Sequence, residues 1–214
     1  QPVRPGETGG RSRRVRVGTQ LVHGIVHGPG GARGGQLRSG TSGSPGRELL
    51  LRCREVRVYP SRCLPSDILD WNPDGILLSN GPGDPLMVEV AVDTVKSLLG
   101  KKFIFGICMG HQILSLALGA KTYKLKFGHR GSNHPVRDSL LNKIYVTSQN
   151  HGYAVAEDSL PKAVKITHTN LNDGTVSGIL WPEKKCLSVQ FHPESHPGPH
   201  ESSELFDYFI QQIQ

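Results

Sequence analysis

The chain has no apolar run near the ~18 residues that a membrane-spanning helix needs. It has no apolar signal core near its start either, so neither a membrane protein nor a secreted one is expected. Cysteine is scarce and unpatterned. Cys53, Cys63, Cys108 and Cys186 show no C-x-x-C spacing, which argues against a zinc site or a disulfide framework. A reducing, cytoplasmic setting fits. No G-x-x-x-x-G-K-[ST] run is present, so there is no phosphate-cradling loop of that type. Residues 1–46 lack most. They contain no Lys, Asp, Asn, Phe, Tyr, Trp, Met or Cys, yet hold 13 of the 26 glycines. Such a segment has little apolar surface to set against the entropy of ordering it.

The formal net charge of +7 suggests nucleic acid at first sight, but its distribution does not. Residues 1–46 carry seven Arg and one Glu, which is +6; the remaining 18 Lys and Arg against 17 Asp and Glu give +1. The body is nearly neutral, and no nucleic-acid partner is expected. Residues 1–46 are read as a disordered or non-native segment, with Leu21 to Val26 as the one stretch resembling a strand. An Arg-rich nucleic-acid tail and an organelle transit peptide are weaker readings, because the glycine content and the lack of amphipathic periodicity oppose both.

Residues 47–214 read as one globular domain. Strand-like runs at Val56 to Tyr59, Gly75 to Leu78 and Phe103 to Ile107 alternate with helical patterns near Pro65 to Leu69, Val88 to Leu99 and Gly110 to Leu118. This alternation predicts an α/β fold with a mainly parallel open sheet flanked by helices. From Lys121 the texture becomes β-rich, with runs at Tyr123 to Phe127, Ile144 to Ser148, Val164 to Thr169, Val176 to Leu180 and Leu187 to Phe191. Ser203 to Ile213 closes the chain as an amphipathic helix.

One stretch carries chemistry. Phe105-Gly106-Ile107-Cys108-Met109-Gly110-His111-Gln112 puts a cysteine between an apolar strand and a helix, the sequence form of a nucleophile on a sharp turn. Gly106 and Gly110 leave space for the turn and for close approach by a substrate. The helix N-terminus behind the sulfur favours a thiolate. Far downstream, His192-Pro193-Glu194 offers a base and a carboxylate to orient it, so that Cys108, His192 and Glu194 form a triad by role. Asn80-Gly81-Pro82-Gly83 follows a strand, where glycines let backbone amides approach an oxyanion. Gln112 lies one helical turn beyond Cys108. Histidines at 192, 196 and 200 invite a metal, but Pro193, Pro197 and Pro199 forbid the helix that would align them, and no metal is expected.

Together these segments resemble the class I glutamine amidotransferases, whose nucleophile turn reads G-x-C-x-G-x-Q. Phe127-Gly128-His129-Arg130-Gly131-Ser132-Asn133-His134-Pro135-Val136 is similar to a segment, G-H-x-G-x-N-H-P-V, of one branch, the carbamoyl-phosphate synthetase small chains. The resemblance implies catalytic roles for Cys108, His192 and Glu194. It implies oxyanion donors at the Gly83 and Met109 amides, with Gly81 and Gly83 against the substrate. Gln112 would contact glutamine, and Asn150, Gly152 and Tyr153 would bind its amino-acid end. The implied partners are L-glutamine and a large synthetase chain; that chain, not this one, would use ATP and Mg, so no cofactor is expected here. Carbamoyl phosphate would then feed pyrimidine and arginine synthesis. The alternatives are another class I amidotransferase, a peptidase on the same scaffold, or a catalytically impaired fragment. The resemblance covers roughly residues 47–214. The family's separate N-terminal domain has no counterpart here, and the amidotransferase domain's own first strand is expected to be missing, which would leave a sheet edge uncovered.

Overall fold

A computed structural model describes residues 16–20, 35–36, 45–53, 55–194 and 201–214, with the backbone alone for the first two stretches and for residue 201. In chain order the elements are β1 (Arg16–Gln20), β2 (Gly35–Gln36), α1 (Pro45–Arg52), β3 (Glu55–Tyr59), α2 (Pro65–Asp70), β4 (Gly75–Leu78), α3 (Glu89–Leu98), β5 (Phe103–Ile107) and α4 (Met109–Ala117). There follow β6 (Thr122–Asp138), β7 (Lys143–Val155), β8 (Lys165–Asn170), β9 (Val176–Trp181), β10 (Cys186–Val189) and α5 (Glu204–Gln212). The described strands form one mixed sheet in the order β2-β3-β1-β4-β5-β10-β9-β8-β6-β7. From β3 to β10 the neighbours run parallel; from β10 to β7 they are antiparallel.

The parallel strands are buried on both faces, and the period of two sorts their side chains. Leu77, Phe103, Phe105 and Ile107 face one layer with Leu49 of α1 and Phe206 and Phe209 of α5. Ile76, Leu78 and Ile104 face the other, with Ile68, Val95, Ile113 and Leu114 of α2, α3 and α4. This is why β4 and β5 read as continuous apolar runs. Phe105 and Phe206 meet edge to face at 5.8 Å between ring centroids, and both are fully buried. Burying one such ring contributes about 1.5–3 kcal/mol. A third, smaller cluster of Ala120, Val155, Val176 and Ile179 lies under the antiparallel half.

The expectation of a missing first strand is overturned. β1 occupies an interior slot, with Val17 to Gln20 paired in parallel to Val56–Tyr59 on one side and to Gly75–Leu78 on the other. Such a slot is satisfied by backbone N–H and C=O groups. Arg16-Val17-Gly18-Thr19-Gln20 supplies these without the apolar run that makes an interior strand legible. The strand expected at Leu21 to Val26 lies outside the described residues, as does most of the segment read as disordered. The last two residues of that segment, Pro45 and Gly46, belong to α1.

Candidate active site

β5 runs directly into α4, and Cys108 is the residue between them. Its backbone sits at φ 53°, ψ −103°, outside the regions an L-residue ordinarily adopts. The turn is held on both sides: the Cys108 amide donates to the Val189 carbonyl at 2.9 Å, and its carbonyl accepts from the His111 and Gln112 amides at 3.1 and 3.2 Å. Gly106 and Gly110 make the turn possible by their size. A Cβ on Gly106 would lie 2.7 Å from the Gly110 carbonyl oxygen, and one on Gly110 would be driven into the Leu78 carbonyl. The space expected for a substrate at these two glycines is filled by the protein's own backbone.

His192 arrives from the end of β10. Its amide donates to the Ser148 carbonyl at 2.9 Å, a bridge that ties this segment to β7. Its Nδ1 lies 2.9 Å from Oε1 of the buried Glu194. Burial opposes a charge on the ring, but hydrogen bonds to Cys108 and Glu194 outweigh it, and the His192 pKa is raised to about 10. With Nδ1 facing the carboxylate, Nε2 is the nitrogen left for the sulfur. Cys108, His192 and Glu194 are thus brought together. His196 and His200 lie outside the described residues.

A cavity of about 430 Å³ opens over Cys108. The 81–84 loop forms one wall with Gly81 and Gly83, and the start of α4 forms the floor with Met109 and Gln112. The end of β7 forms the opposite wall with Asn150, Gly152 and Tyr153. Gly83 has φ +106° and open space where a Cβ would stand, so here glycine serves the backbone conformation. Met109 is the first residue of α4, where amides have no partner within the helix.

Gln112 is buried, and its Nε2 donates to the Tyr153 carbonyl at 2.9 Å and to Gln190 Oε1 at 3.0 Å. Its amide nitrogen therefore anchors the substrate wall, and only its carbonyl oxygen remains for a ligand. Tyr153 Oη donates to Asp84 Oδ2 at 2.9 Å, spanning the two walls, while Asp84 Oδ1 accepts from the Leu86 amide at 2.9 Å. That bond to Asp84 holds the Tyr153 pKa above the usual phenol value. Burial pushes His151 down to about 4, so it faces the cavity as a neutral ring. Asp84, Lys124, Arg130 and His151 also line the cavity and were given no role in the glutamine site from sequence. Asp84, Arg130 and His151 stand within motifs recognised in the sequence, but their place in the cavity, like that of Lys124, is set by tertiary contacts and strand register, which no local pattern announces.

Residues 46–212 match the profile of the family described as glutamine amidotransferase class-I. The chain belongs to this family. Among curated relatives it is 54% identical over 157 residues to the chloroplastic carbamoyl phosphate synthase small chain of Arabidopsis thaliana, covering 73% of this chain and 36% of that one. It is 54% identical over 168 residues to the carbamoyl phosphate synthase small chain of Chlorobaculum tepidum, covering 77% and 46%. The chain thus spans less than half the length of these relatives. A glutamine amidotransferase from Thermotoga maritima superposes with a TM-score of 0.64 at 18% identity, covering 85% of this chain and 77% of that one. At that identity the likeness shows the amidotransferase fold and nothing finer. Among the described residues, no helix is long and apolar enough to cross a membrane.

Proposed function

We propose that this chain is the glutamine-hydrolysing part of a carbamoyl-phosphate synthetase small chain, acting through Cys108, His192 and Glu194. The observation that carries the reading is the strained Cys108 at a helix start, hydrogen-bonded to an imidazole that Glu194 orients, at the floor of a cavity sized for an amino acid. The family supports the reaction type, and the relatives' names support the synthetase branch.

The Cys108 thiolate attacks Cδ of the glutamine side chain, and the carbonyl π electrons move onto oxygen. The Gly83 and Met109 amides hold that oxyanion. His192 gives its Nε2 proton to the nitrogen, the C–N bond breaks, and ammonia leaves a γ-glutamyl thioester on Cys108. His192 then takes a proton from water, the hydroxide adds to the thioester carbonyl, and glutamate departs as the thiolate reforms. Glu194 fixes the ring so that Nε2 serves both steps. Asn150, Gly152 and Tyr153 hold the amino-acid end. Ammonia passes to a large chain, which makes carbamoyl phosphate with ATP and Mg; the lack of a nucleotide loop in this sequence supports leaving those cofactors to the partner.

Glutamate release from L-glutamine by the purified chain, with and without a large synthetase chain, tests this. Cys108→Ala is expected to lower the rate by at least about 10⁴-fold, the order seen when a nucleophile of such a unit is removed. Equal rates for both proteins, or no release by the unaltered chain even with the large chain present, would sink the assignment.

A further inference from the structure

β5 and β10 deliver Cys108 and His192 from their C-terminal ends, and a second cavity lies at their other ends. We propose that this cavity binds a small phosphorylated molecule with an apolar body, at a site separate from the glutamine cavity; the inference does not depend on the glutaminase reading. The cavity measures about 480 Å³, within the range of small-molecule sites, roughly 300–1,000 Å³. β5 has five residues, each rising about 3.3 Å, so roughly 16 Å of strand separates this cavity from Cys108. Lys101, Lys102 and Lys185 line it, and Asp74 is the one acidic side chain among its lining residues. Three cations against one carboxylate favour a doubly charged group such as phosphate over a single carboxylate.

Backbone bonds bring the lysines together. The turns that precede β5 and β10 interlock, the Gly100 amide donating to the Lys184 carbonyl at 3.0 Å and the Ile104 amide to the Lys185 carbonyl at 2.8 Å. Lys185 is thereby set beside the start of β5, next to Lys102 and Phe103. Lys102 Nζ donates to Asn72 Oδ1 at 2.8 Å, which leaves two of its three N–H groups. The side chains of Lys101 and Lys185 make no hydrogen bond or ion pair among the described residues. Cations past the C-terminal end of α3 complement its dipole, and that accounts for Lys101 and Lys102 without a ligand. It does not account for Lys185. Its backbone is left-handed, φ 51°, ψ 52°, a conformation that glycine or asparagine adopts more readily. A lysine held there at a backbone cost points to a use for its charge. The cavity also has an apolar wall, where Leu180, Tyr208 and Ile213 pack against the core. Convergent cations beside such a wall suit an anion joined to an apolar body.

Calorimetric titration of the full chain with phenyl phosphate and with inorganic phosphate, at about pH 8 where both are largely dianions, tests the site. Phenyl phosphate is expected to bind more tightly, because only it carries a ring for the apolar wall. Lys101→Met and Lys185→Asn are each expected to weaken it about tenfold, as for loss of a charge-assisted hydrogen bond. Asparagine tolerates the left-handed backbone, so Lys185→Asn removes the charge and leaves the turn intact. Lys124→Met, in the cavity over Cys108, and Lys162→Met, at an exposed position elsewhere, should leave the affinity unchanged. The site would be overturned by no binding of phenyl phosphate or by equal affinity for the two probes. A loss in Lys124→Met or Lys162→Met as large as that in Lys185→Asn would overturn it too. The glutaminase reading stands or falls separately, on glutamate release.

Discussion

Cys108 holds a backbone conformation that costs on the order of 1–3 kcal/mol at a non-glycine residue. Three backbone hydrogen bonds and two tightly packed glycines sustain it, so the strain is imposed by β5, β10 and α4 together. The consequence appears on His192. Its hydrogen bonds to Cys108 and Glu194 favour the protonated ring more than burial disfavours it. Because the folded pKa of about 10 exceeds the ordinary 6.5, the resulting stabilisation is complete below about pH 6.5 and is lost as pH rises through about 10. Cys108→Ala removes the first of the favourable bonds, so the His192 pKa should fall, and the stability lost between pH 6.5 and 10 should shrink. NMR titration of the His192 ring, with urea unfolding at several pH values, checks this; a ring titrating near 10 in the variant would contradict it. The grouping of Cys108, His192 and Glu194 was legible in sequence because each part is local: a cysteine before a helix, and a histidine two residues from its carboxylate. The Asp84–Tyr153 bond was not, because 69 residues separate the pair.

The elements read from sequence were those with an apolar period. β4, β5, α3 and α4 bury whole faces and advertise them. β6 was read only as far as Phe127, yet it runs on to Asp138 through Gly128, Gly131 and Pro135, residues that ordinarily end a strand. Two register shifts absorb them. β1 was missed because its sequence is Arg16-Val17-Gly18-Thr19-Gln20, and its place depends on backbone pairing with β3 and β4. That placement is testable with one substitution. An interior strand of a parallel sheet uses every N–H in one ladder or the other, so Thr19→Pro must break one bond and force the ring into the neighbouring strand. The expected loss is at least about 1–3 kcal/mol, the cost of leaving a buried partner unsatisfied. Thr19→Val, which keeps the N–H and suits a strand, should be neutral within about 0.5 kcal/mol. Urea unfolding that shows no difference between the two variants would mean residues 16–20 contribute nothing to the folded sheet.

At the scale of the whole molecule, the site exists only because the sheet curls. The parallel half supplies Cys108 and the 81–84 loop at the C-terminal ends of β5 and β4, where open α/β sheets bind ligands. The antiparallel half supplies Lys124, Arg130, Asn150, Gly152 and Tyr153, and the Ser148–His192 bridge and the Gln112–Tyr153 bond hold the halves together. A ligand that touches both halves must stabilise the fold as a unit, since unfolding either one destroys its site. At a glutamine concentration one hundred times the dissociation constant, the expected stabilisation is about 2.7 kcal/mol. For a chain of this size, that corresponds to a rise in Tm of roughly 5–10 °C. Thermal unfolding of the Cys108→Ala chain, with and without L-glutamine, measures it. Because the chain spans less than half the length of its curated relatives, the same scan separates two states of affairs. A shift in the isolated chain means the two halves alone complete the substrate site. A shift that appears only when a large synthetase chain is added means the partner closes the cavity, and the relatives' additional length would then be the first place to look for what this chain borrows.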